Sequence, residues 1–154
     1  MIAAVLAGAL VAGCSSHHAH RSAPAASAAS AAGEHYLLLA TQANARIDSA
    51  KSKLRTDATD LASTEDDLRA IASAKRTFDQ RLGELTVPDG VKDAVARLVA
   101  ADTVLEHRLD DGASVTSTTK LAQASAGIIA AGAAAVAAAD EVRRGLGLPP
   151  ISSG

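Results

Sequence analysis

The chain has 154 residues, of which 15 are Lys or Arg and 17 are Asp or Glu, a net charge of −2. No basic field is available to attract nucleic acid, and with Tyr36 and Phe78 as the only aromatics there is no platform on which bases or sugars could stack. A single cysteine excludes an intrachain disulfide, so the fold must rest on packing. Alanine supplies about a quarter of the residues, and this favours helix over strand because Ala loses no side-chain entropy in a helix.

Residues 2–13 form an uncharged apolar run that ends at Cys14, the lone cysteine. The run is shorter than the roughly 20 residues needed to span a bilayer and matches the apolar region of a secretory signal. Leu10-Val11-Ala12-Gly13-Cys14 resembles the lipobox of bacterial lipoprotein precursors. The resemblance implies cleavage before Cys14 and a diacylglyceryl group on its thiol, and so a membrane anchor on the extracytoplasmic face of the cell membrane. One point departs from the pattern: no Lys or Arg stands between Met1 and Cys14. The expected organisation is a lipoprotein signal peptide over 1–13, the lipidated Cys14 and a flexible linker over 14–34, a helical domain over 35–147 and a short tail over 148–154.

The linker is Ser, Ala and His with one Pro and no apolar periodicity, so it cannot bury enough surface to offset ordering entropy. A flexible chain of that length spans roughly 25 Å. Within it, His17, His18 and His20 are weak candidates for a metal, since imidazole is a common ligand. No fourth ligand or supporting shell is visible, and no cofactor is expected.

The first helix is expected from Glu34 or His35. Tyr36, Ala40, Ala43, Ile47, Ala50 and Leu54 recur at three and four and share one face. The pattern fails at Thr56–Asp60, where short polar side chains compete for backbone hydrogen bonds. Cations before this break and anions after it suit a helix end followed by a helix start. The anions Asp57, Asp60, Glu65, Asp66 and Asp67 read as a solvated helix start rather than a cation site.

The second helix carries Leu61, Thr64, Leu68, Ile71, Lys75, Phe78, Leu82 and Leu85. Lys75 interrupts the stripe, with its methylenes expected along it and its ammonium in water. Thr86-Val87-Pro88 ends this helix and opens the next. The third helix carries Val91, Ala94, Val95, Leu98, Ala101, Leu105 and Leu109, with Gly112 expected to supply a left-handed cap. Glu106 and His107 lack the Glu-x-x-His spacing of di-iron bundles, and His107 with Asp111 reads as a solvated pair.

The fourth helix is expected to start within Ser114–Thr119. It carries no charge from Leu121 to Ala139. Ala and Gly gain little from lipid, so the expectation is a helix buried against the other three, with Ile128, Ile129 and Val136 inside and Gly132 at a close helix contact. Arg143 and Arg144, two glycines and Pro149-Pro150 close it, with Leu146 and Leu148 folding back as an apolar clasp. The fold class is therefore all-α, a four-helix bundle behind a signal peptide and flexible linker.

Tyr36-Leu37, Phe78-Asp79…Leu85-Thr86-Val87-Pro88 and the closing Val142 to Pro150 are similar to features of small lipoproteins and secreted helical proteins of high-GC Gram-positive bacteria. That resemblance implies no defined activity and carries over no functional residue besides Cys14. No Ser-His-Asp order, Cys-His pair, phosphate loop or carboxylate constellation is recognisable, so no enzyme is expected. The expected role is a non-catalytic binding or structural module of the cell envelope, held to the membrane through Cys14 and meeting an unknown envelope protein. The alternative is a metal or small-ligand binder using the His cluster or a gap in the bundle.

Overall fold

The computed structural model describes residues 8–9, 23–56 and 60–153. Cys14, His17, His18 and His20 lie outside the described residues. Four helices make the fold: α1 (Ala23–Thr56), α2 (Leu61–Glu84), α3 (Asp89–Ala113) and α4 (Thr118–Gly145). Each packs on the next in sequence, giving an all-α four-helix bundle. The one extended pairing among the described residues is two residues long, Gly8–Ala9 against Ser152–Ser153, and forms no layer of its own.

The three-four stripes face inward as their spacing requires. Tyr36, Ala43, Ile47 and Ala50 of α1 are buried, as are Leu68, Ile71, Phe78 and Leu82 of α2 and Val91, Ala94, Leu98 and Leu109 of α3. The core has two parts. One gathers Tyr36, Phe78, Leu82, Leu98, Val142 and Leu146, and the other Ile47, Leu68, Ile71, Ala72, Leu109 and Ala113.

The turn between α1 and α2 forms without Gly or Pro. Asp60 caps α2, its carboxylate accepting from the backbone N–H of Ala62 at 3.2 Å and Ser63 at 3.3 Å. The Ser63 hydroxyl and these amides hold the Asp60 carboxyl below its ordinary range. Ser117 caps α4 by accepting from the Lys120 amide at 3.3 Å. At the other end of α4, Leu148 N–H reaches Arg143 O at 2.8 Å and Gly147 N–H reaches Arg144 O at 3.1 Å, a Schellman cap around Gly147 at φ 71°. This cap folds Leu146 and Leu148 back as the clasp, with Leu146 buried.

Three expectations are corrected. First, α1 begins at Ala23 rather than near Glu34, so part of the expected linker is helical. Ala32 and Gly33 are buried, and a Cβ at Gly33 would lie 3.4 Å from Leu148 Cδ2. The clasp gives this alanine-rich turn a surface to cover. Second, Gly112 does not cap α3. The helix runs through it to Ala113, and a Cβ at Gly112 would lie 3.0 Å from Ile128 Cδ1 and 3.4 Å from Leu68 Cδ1. Its role is close approach of α2, α3 and α4.

Third, α4 is not enclosed by the other three helices. It packs chiefly on α3, and only Ala131, Ala135 and Val142 within it are buried. Ile128 reaches the core, whereas Ile129 is 51% exposed and Val136 39% exposed. By length and composition α4 could cross a membrane, its most apolar 18-residue window having a mean hydropathy of 1.7 with 11% of it buried. Gly132 is no tight contact, since a Cβ there would meet nothing within 4 Å. Gly132→Leu is therefore expected to leave stability unchanged or raise it by up to about 1 kcal/mol through helix propensity. Thermal unfolding checks this, and a loss of more than about 1 kcal/mol would restore the close-contact reading.

Candidate functional site

Between the two parts of the core lies a layer of charged side chains from α2 and α3. Lys75, Arg76 and Asp79 stand on α2 between Ala74 and Leu82, and Asp102 and Glu106 stand on α3 between Leu98 and Leu109. Asp102 is 0% exposed, and the Lys75 Nζ sits 2.5 Å from its Oδ2. The same ammonium lies 5.3 Å from the centroid of Phe78, whose ring meets Tyr36 edge-on at 6.1 Å. Arg76 closes the outer side, 3.8 Å from Glu106 and 3.1 Å from Asp110.

This corrects the expectation for Lys75. Its stem does run along the apolar stripe, but its ammonium turns inward to Asp102 instead of outward to water. A buried carboxylate needs a compensating charge, and Lys75 is the nearest cation that can supply it. Glu106 also turns inward. The adjacent His107 is exposed, and Asp111 pairs with Arg108 at 3.9 Å.

The layer departs from ordinary ionisation in a consistent way. Burial pushes the Asp79 carboxyl up to about 9, and the neighbouring Asp102 carboxylate adds to the shift. Burial also raises Glu106, opposed by its contacts with Asp79 and Arg76. Tyr36 is pushed up to about 12, first by burial, with Arg143 opposing and Asp102 and Asp140 assisting.

The sequence showed no carboxylate constellation, and the fold assembles one from Asp79, Asp102 and Glu106. The available signal was positional. Asp102 lies four residues after Leu98 and three before Leu105, in line with the inward stripe of α3, and Asp79 lies four after Lys75 on α2. A groove of about 350 Å³ between α1 and α2 is lined by Arg46, Ser49, Lys53 and Asp67 among others, and none of the charged-layer residues lines it. Within the charged layer the carboxylate oxygens of Asp79 and Asp102 are buried. Among the described residues, no three His, Cys, Asp or Glu side chains are placed to hold a metal ion.

The chain matches no protein-family model, no curated protein and no solved structure.

Proposed function

We propose that this protein is a lipid-anchored, non-catalytic module of the cell envelope, held on the extracytoplasmic face by a diacylglyceryl group on Cys14. The observation that carries this reading is the apolar run that ends at Leu10-Val11-Ala12-Gly13-Cys14 and contains the only cysteine. A diacylglyceryl group brings two acyl chains, enough for stable anchoring where one chain gives only marginal binding. A binding or structural role suits a fold whose buried charges, Lys75 and Asp102, are paired between two helices. The half-exposed apolar flank of α4 around Ile129 and Val136 is the surface such a role would use against an envelope partner.

Cys14→Ala is expected to move the protein from the detergent phase to the aqueous phase on phase separation and to abolish labelling by a fatty-acid analogue. Undiminished labelling of the variant would end the lipoprotein reading. Crosslinking on intact cells is expected to capture a partner through positions flanking Ile129.

A further inference from the structure

The charged layer between the two cores contains four carboxylate oxygens that need an explanation. Both oxygens of Asp79 and both of Asp102 are buried, and among the described residues no hydrogen-bond donor meets them apart from the Lys75 ammonium at Asp102 Oδ2. Asp79 stands one helical turn after Lys75, whose ammonium contacts Asp102, so the two carboxyls are neighbours across the α2/α3 contact and each acts on the other. Two bare carboxylates in that position would repel across the α2/α3 contact and leave buried acceptors unmet. One hydrogen atom on one of the oxygens removes the repulsion and joins two of the four buried oxygens in a hydrogen bond. It turns a repelling pair into a donor and an acceptor, and a single ammonium then balances the one remaining negative charge on the pair.

We propose that Asp79 and Asp102 form a proton-binding site, in which one proton held between α2 and α3 latches the two halves of the bundle and its release to solvent loosens that contact. The surroundings are assembled for this. Lys75 and Arg76 face the pair from α2, and Glu106 and Asp110 accompany Asp102 on α3. Tyr36 from α1 packs its ring on Phe78 beside Lys75, and Lys51 of α1 lies on the Lys75 side. Asp140 and Arg143 of α4 act on Tyr36 from opposite signs. Arg76, the next cation along α2, is engaged by Glu106 and Asp110.

The direction of the pH dependence follows. A free Asp releases its proton near pH 4, whereas the folded pair retains its proton well above that. Between those limits the folded state binds more protons than the unfolded state, so this site's contribution is full in acid and is lost as pH rises. The unfolding equilibrium constant is expected to grow by up to tenfold per pH unit from this site between about pH 5 and 9.

The test is urea unfolding of the full chain in mild detergent at several pH values, for wild type and Asp79→Asn. The asparagine amide donates to Asp102 at every pH, so the variant is expected to show a flatter profile and a higher midpoint than wild type at pH 9. Groups common to both proteins and remote from the pair cancel in the comparison. Parallel profiles over pH 5 to 9 would overturn the proposal. Infrared difference spectra keep it testable if Asp79→Asn fails to fold. Wild type at neutral pH is expected to show the C=O stretch of a protonated carboxylic acid, which bleaches as pH is raised, and absence of that band at neutral pH would overturn the proposal equally. Neither readout involves Cys14, so failure here leaves the envelope reading standing, and the reverse holds.

Discussion

Lys75→Met is expected to destabilise the fold by about 3–5 kcal/mol in urea unfolding at neutral pH. Methionine keeps the unbranched stem along the apolar stripe, so packing against Phe78 is largely preserved and the loss isolates the ammonium. What remains is Asp102, fully buried and stripped of the cation 2.5 Å from its Oδ2. Adding Asp102→Leu to Lys75→Met removes both partners, and the double variant is expected to recover most of the loss, since an apolar pair of similar volume often replaces a buried ion pair at little cost. Were Lys75→Met to cost under about 0.5 kcal/mol, the ammonium would belong in water, where the sequence had led us to expect it.

That contrast marks where local pattern stops being informative. The inward faces of α1, α2 and α3 were legible because large apolar residues such as Ile47, Ile71, Phe78 and Leu98 recur against polar neighbours at helical spacing. The break near Thr56 was legible too, from the switch of charge and the short polar side chains there, whereas the Asp60 cap on α2 emerged only from the fold. Lys75 was misplaced because a lysine on an apolar stripe is ordinarily resolved by reaching out to water, and its inward partner lies on another helix. Asp102 occupies a stripe position, but a single acidic residue there has meaning only when Lys75 and Asp79 face it from α2.

The alanine-rich segments failed for a different reason. Ala is compatible with burial and with exposure, so a run of it carries no contrast from which a face can be read. Hence Ala32 was placed in a linker although the clasp of Leu146 and Leu148, more than a hundred residues away, covers that turn. The uncharged run in α4 likewise read as enclosure, whereas the fold gives it one principal neighbour, α3, and leaves Ile129 and Val136 half-exposed.

Leu98→Ala is expected to cost about 2–5 kcal/mol, toward the upper part of that range. Leu98 is 1% exposed and packs in the part of the core formed with Tyr36, Phe78, Leu82, Val142 and Leu146. Truncation removes the transfer free energy of the lost carbons and leaves a cavity whose cost depends on how far neighbours can close it. Here several of the neighbours are alanines, Ala32, Ala43 and Ala94, which have no rotamers with which to fill a gap. Helix movement is restrained as well, because Lys75 and Asp102 pin α2 to α3 one turn away. Leu38→Ala supplies the comparison. That leucine lies on α1 but is 56% exposed, so its loss is expected to fall within about 0.5 kcal/mol. The two variants unfolded side by side in urea test the assignment of the inward faces, and similar small losses for both would place Leu98 outside the core.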